Sequence, residues 1–181
     1  MRIISGSHKG HIINPPRGLP IRPITDRSKT SLFNIIANRV DLEECEVLDL
    51  FSGGGSISLE FASRGAQRVV AVDRFPGCVE FLKREAKKLN LDMIEAIKAD
   101  VMRYIVNTEY AFDIIFADPP YAFSFNEYEK LIKGIFENKL LKEDGFFILE
   151  HHSITKLNHI PHLFEQRAYG QNVMSFFKSQ Q

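Results

Sequence analysis

Asp118-Pro119-Pro120-Tyr121 follows the apolar run Phe112 to Ala117 (FDIIFA), where a strand should hand over to a loop. A carboxylate, two consecutive prolines and a tyrosine at that point suit the task of holding a planar amine. The lone pair of an exocyclic nucleobase amine is delocalised into the ring. Two acceptors set against its two N–H hydrogens aim that lone pair outward and stabilise positive charge as it develops. Asp118 supplies one acceptor from its side chain. The Pro119 carbonyl can supply the second, because successive prolines stiffen the chain and carry no N–H for a competing turn bond. Tyr121 offers a flat face to an unstacked base. Singly, each residue has a plainer reading: Asp-Pro starts turns, Pro-Pro ends strands, and such a tyrosine is usually partial core.

A second stretch, Asp49 to Ser56 (DLFSGGGS), stands between a strand-like run and a helical one. Glycines there let a backbone approach a ligand closely. Gly53 and Gly55 match the first two positions of GxGxxG but Ser58 occupies the third, which counts against a dinucleotide. No lysine follows as a phosphate-binding P-loop requires. Asp73 lies 20 residues beyond Gly53, the distance at which an acid accepts from both hydroxyls of a ribose. Asp100, after the next strand, can accept from an adenine amino group, although a lone aspartate there is more often a helix cap. A nucleoside without phosphates that carries an amino-acid tail satisfies this set, and S-adenosylmethionine is such a molecule.

The elements that must position these groups alternate. Val47 to Phe51, Val69 to Asp73, Ile94 to Lys98, Phe112 to Ala117 and Phe146 to Glu150 are short apolar runs suited to buried strands. Helical patterns lie between them: Val79, Leu82, Ala86 and Leu89 after Pro76, and Tyr128, Leu131, Ile132, Ile135 and Phe136 after a Ser124 cap. Such alternation predicts an α/β fold, a mostly parallel sheet with helices on both faces. Val173 to Phe177 follows Arg167 to Gly170 with no room for a crossover helix, so those two stretches should pair antiparallel at a sheet edge. In front, Arg2 to Ser5 and His11 to Asn14 read as a β-hairpin. A Pro- and Arg-rich loop follows, then a helix capped by Thr25 or Asp26 with Leu32, Phe33, Ile36 and Val40 on its apolar face. One domain spanning 1–181 is expected, with 1–40 as its hairpin-loop-helix extension.

The 181 residues are 44% hydrophobic and 25% charged, ordinary for a soluble globular chain. Two cysteines without a CxxC pattern argue against a disulfide scaffold or a cysteine-rich metal site, and no metal is expected. Neither a signal-like nor a membrane-spanning stretch is read, so a cytoplasmic setting with no membrane partner is expected. The formal net charge of zero conceals +5 in residues 1–30 against −5 in the remainder. A basic arm on an acidic body suits an anionic partner held at one edge; on charge alone, a solvated face explains it equally well.

Together these motifs resemble the Asp/Asn-Pro-Pro-Tyr class of S-adenosylmethionine-dependent amino-methyltransferases. More closely, the chain is similar to the RsmD family, which methylates the N2 amine of a guanine in 16S ribosomal RNA. RIISGSHKG, RPITDR followed by SLFNII, VLDLFSGGG, EFASRGA, FDIIFADPPY and YG with a closing SFF carry the resemblance over nearly the whole length. It implies a Rossmann-like class I methyltransferase sheet. It implies cofactor contacts from Asp49, Phe51, Gly53, Gly55, Asp73 and Asp100, and an amine pocket from Asp118, Pro119 and Tyr121. Arg22, Thr25 and Arg27 would border the RNA entrance. Ile24 stands where the family commonly has threonine, Thr30 where it has glutamate, and Asp73 replaces a frequent glutamate. The implied partner is 16S ribosomal RNA or an assembling 30S subunit, met by a monomer. The same four-residue chemistry serves a DNA adenine-N6 methyltransferase, against which the chain has little room for a sequence-reading domain. A non-catalytic RNA-binding module rests only on the basic arm.

Overall fold

Every apolar run of the α/β body becomes a strand of one seven-stranded sheet. The computed structural model describes residues 1–21 and 24–179. Its strands are β1 (Glu46–Leu50), β2 (Arg68–Asp73), β3 (Ile94–Lys98), β4 (Phe112–Ala117), β5 (Leu141–His152), β6 (Leu163–Tyr169) and β7 (Asn172–Lys178). Their spatial order is β3-β2-β1-β4-β5-β7-β6. Strands β1 to β5 pair parallel. β7 lies antiparallel between β5 and β6, the edge arrangement expected from the short Gly170 connection. This is the mostly parallel, helix-flanked sheet of a Rossmann-like class I methyltransferase.

Side chains alternate along each strand, so the sheet buries two layers. Val47, Val69, Ala71, Ile114 and Phe116 pack toward the side that holds α1 (Asp26–Ala37), α2 (Ser56–Ser63) and α3 (Pro76–Lys88). Leu48, Leu50, Val70, Val72 and Ile115 pack toward α4 (Val101–Asn107) and α5 (Phe125–Glu137). Burying one such aliphatic side chain contributes roughly 1.5–3 kcal/mol, which is why these runs are apolar on both faces.

Local signals set the helix starts. The Thr25 side chain accepts the Ser28 N–H at 3.1 Å and caps α1. Pro76 opens α3, and Ser124 with Glu127 forms a reciprocal capping box at α5. Leu32, Phe33 and Ile36 are buried as expected, but α1 ends at Ala37, so Val40 lies beyond it.

The expected hairpin at the front forms as a short antiparallel pair bridged at Arg2 and Ile12, in which the N–H groups of Ile3 and Ile13 donate to the His11 and Met1 carbonyls at 3.0 and 2.9 Å and that of Gly10 to the Ile3 carbonyl at 2.9 Å. The donors outside these cross-strand bonds find acceptors on α2: the N–H groups of Ile4 and Ser5 reach the Glu60 carboxylate at 2.7 and 3.0 Å, and the Ser7 N–H reaches the Ser63 carbonyl at 2.7 Å. Lys29, fully buried in α1, pairs with Glu60 at 3.3 Å and donates to the Arg2 carbonyl at 2.5 Å. The segment is thereby docked on α2, and Ile3 and Ile13 join the same core as Phe33 and Phe61.

From β1 the chain progresses outward to β2 and β3, and from β4 in the opposite direction. Open α/β sheets bind ligands in the crevice at this reversal, beyond the carboxyl ends of the two central strands. Among the described residues, no helix is long and apolar enough to cross a membrane.

Candidate active site

β1 and β4 pair with Leu50 opposite Ala117. The residues that leave these strands, Phe51 and Asp118, therefore emerge side by side at the reversal. A cleft of about 540 Å³ opens there and is lined by Asp49, Phe51, Gly53, Asp73, Asp118 and Tyr121 among others. Phe51 turns the chain out of β1 with φ of 61°, an unusual conformation for a bulky residue, and its ring meets that of Phe123 edge-on at 5.5 Å.

Asp73 is the hub of the glycine side. Its Oδ2 accepts the Gly53 N–H and its Oδ1 the Phe75 N–H, both at 2.8 Å, so the acid ending β2 clamps the loop after β1. Each oxygen keeps a lone pair for a ligand hydroxyl. Gly53 has φ of 51°, and a Cβ there would meet only the Phe51 carbonyl oxygen, at 3.9 Å, which leaves its backbone accessible. Gly55 differs. It is buried outside the cleft lining, with φ of 74°, and a Cβ there would lie 2.3 Å from Leu82 Cδ1, so its lack of a side chain serves the contact with α3.

Asp49 is 1% exposed and accepts a hydrogen bond from the Ser58 hydroxyl. Burial pushes its carboxyl up to about 7 against the pull of Ser58, and the charge of Asp73 adds to the rise. Asp100 caps α4, its Oδ1 accepting the Arg103 N–H at 3.1 Å, and it lines the cleft as well. The cap and the ligand-facing reading of this residue are compatible.

Across the cleft, the Pro120 carbonyl accepts the Phe123 N–H at 2.8 Å and closes a turn that leaves Tyr121 66% exposed. Asp118 and Tyr121 border the cleft; Pro119 is buried and does not, but with Tyr121 it lines a small recess that includes Tyr128, Glu150, His151 and Asn172. Thr25 and Arg27 stand at the start of α1, outside the lining, although neighbouring Ile24 belongs to it. Arg22 lies outside the described residues.

Several lining groups escape a reading of the sequence. Arg74 follows Asp73, and its guanidinium lies 4.8 Å over the Phe75 ring. Glu127 of the α5 capping box also lines the cleft, its carboxylate held below the usual range by hydrogen bonds from Ser124. Adjacency to Asp73 is the available signal for Arg74; none marks Glu127, whose box reads as a helix start. Among the described residues, Asp49, Asp73, Asp100, Asp118 and Glu127 face Arg74 as the one arginine or lysine of the lining. A cleft with that excess of carboxylates fits a ligand bearing sulfonium and ammonium charges, and its bridging acid fits a ribose.

Known proteins are similar to this chain in sequence and fold. The model of the family described as "Conserved hypothetical protein 95" matches residues 1–178. The chain belongs to that family. YlbH of Bacillus subtilis (strain 168), provisionally named an rRNA methyltransferase, is 36% identical over 155 residues, covering 83% of this chain and 82% of its own. Ribosomal RNA small subunit methyltransferase D of Haemophilus influenzae is 31% identical over 155 residues, covering 83% of this chain and 78% of its own. Among solved structures, yhhF of Escherichia coli, provisionally named a methyltransferase, superposes with a TM-score of 0.86 at 26% identity, covering 98% of this chain and 96% of that one. This family member is a class I, S-adenosylmethionine-dependent methyltransferase.

Proposed function

We propose that the protein transfers a methyl group from S-adenosylmethionine to the exocyclic N2 amine of a guanine in small-subunit (16S) ribosomal RNA. The observation that carries this reading is the shared cleft: Asp118 and Tyr121 after β4 face the loop after β1 that Asp73 clamps. The names of the Bacillus and Haemophilus relatives support ribosomal RNA as the acceptor.

When bound, S-adenosylmethionine supplies an electrophilic methyl group on a sulfonium sulfur. The chain's own residues do the rest. Asp73 would accept from the cofactor's ribose hydroxyls and Asp100 from its adenine amino group, with Phe51 and Gly53 lining the same cleft. Asp49 lines the same cleft, and Gly55 lets the loop pack closely on Leu82 of α3. Asp118, which lines the cleft, accepts an N–H hydrogen of the target amine, and Tyr121 stacks on the base. The carboxylate then stabilises the positive charge that grows on nitrogen. Thr25 and Arg27, at the start of α1, border the RNA entrance, and Arg22 is assigned to RNA contact by the family resemblance alone.

Purified protein with labelled S-adenosylmethionine should label small-subunit RNA or assembling 30S particles, and nucleoside analysis should return N2-methylguanosine. Label found only on DNA as N6-methyladenine would sink the proposal.

A further inference from the structure

The end of β5 and the loop from it to β6 carry chemistry that the methyl-transfer site does not use. Residues 151–162 (HHSITKLNHIPH) hold four of the six histidines in the chain, one lysine and no acid, although the chain beyond residue 30 is net acidic. Two of these imidazoles are spent inside the fold. His151 bonds the Ser175 hydroxyl at 2.8 Å, and His162 stacks on Phe136 at 4.0 Å. The other two reach the catalytic loop and its helix. His152 meets the Tyr121 ring edge-on at 6.5 Å, and His159 stacks on Phe125 at 5.5 Å with planes 26° apart. Phe125 is 38% exposed, and Ile154, in the same segment as His159, is 80% exposed.

The sheet order gives this feature its place. β1, with the glycine loop and the front segment beside it, flanks β4 on one side; β5, which leads into the histidine-rich segment, flanks it on the other. Asp118 to Tyr121 thus lies between a rim reached by the basic arm and a rim of exposed rings whose loop side, residues 151–162, carries no acid, while Glu127 borders the cleft from the helix side.

We propose that Phe125 and His159, with Lys156 of the same segment, receive the RNA nucleotide that flanks the target base. This surface rests on the RNA reading above and deepens it. A flat exposed ring pair stacks a base whatever its identity, and Lys156 attracts the adjoining phosphate. A base extruded into the Tyr121 pocket leaves its neighbour unstacked, and a second platform beside the first replaces that lost stacking.

The test uses small-subunit particles from cells lacking the gene as acceptor, with the variants Phe125→Ala and His159→Ala, and His159→Phe as the ring-conserving control. The two alanine variants should raise KM for the particle roughly 5- to 100-fold. Turnover at saturating particle, cofactor affinity and melting temperature should hold, and His159→Phe should restore most of the loss. Unchanged KM in both alanine variants, or a His159→Phe variant as weak as His159→Ala, would overturn the proposal while wild-type methylation leaves the RNA reading intact. Wild-type protein that methylates no RNA would overturn both.

Discussion

Gly53 donates its main-chain N–H to Oδ2 of Asp73 at 2.8 Å, joining the loop after β1 to the acid that ends β2. The ligand-facing acid and the loop that approaches the ligand are therefore one unit. Hydrogen bonds to a charged group are worth roughly 1.5–3 kcal/mol. Asp73→Ala should weaken S-adenosylmethionine binding at least about tenfold by calorimetry and speed amide exchange across Ser52 to Gly55. Wild-type affinity with slow exchange would contradict the clamp.

The Asp49 carboxyl, pushed up to about 7 chiefly by burial, links folding to pH. The unfolded chain loses this proton near the ordinary value of 3.8 and the folded chain only near 7, so the folded state binds the extra proton between them. Stability from this group is full below the lower value, falls as pH rises through the window and levels off above it. In Asp49→Asn that slope is absent. The urea-derived stability of the variant should gain on wild type from about pH 4.5 to pH 7.5; a difference that stays flat would refute the shift.

Lys29 and Glu60 are both wholly buried, and burial lowers the lysine pKa despite its partner. Lys29→Met leaves Glu60 with the Ile4, Ser5 and Arg64 donors but no buried cation, and should cost about 3–5 kcal/mol in denaturant unfolding. Adding Glu60→Gln should return part of that loss. Strictly additive losses would show the two residues to be uncoupled.

Neutralising Arg22 and Arg27 together should weaken RNA binding and flatten its salt dependence, by roughly 0.7 in slope for each phosphate no longer neutralised. Retention of the full slope would assign those residues a structural role.

Much of the fold is legible in the sequence because the signals are local. FDIIFA is apolar at every position except Asp113, as a strand buried on both faces requires, and Pro76 and Ser124 mark helix starts by their own backbone chemistry. The front hairpin is legible, but what anchors it is remote: the Glu60 carboxylate, 56 residues from Ile4, accepts N–H groups that the hairpin's own bonds leave over. Gly55 reads as a ligand-approach glycine, yet the atom it avoids belongs to Leu82 on another helix, which no local pattern discloses. Arg74 and Glu127 likewise join the cleft only when β2 and α5 are brought to the same end of the sheet.

In the proposed mechanism Asp118 holds a guanine amine for methylation. The most direct test maps modified bases in ribosomal RNA from cells with the gene, without it, and complemented with wild type, Asp118→Asn or Asp118→Ala. One N2-methylguanosine of small-subunit RNA should vanish on deletion and return with wild type. It should return partly with Asn, whose side-chain carbonyl still accepts, and stay absent with Ala, which should lose roughly 10²–10³ in turnover at unchanged cofactor affinity. Small-subunit RNA unaltered by deletion, or full restoration by Asp118→Ala, would contradict that role.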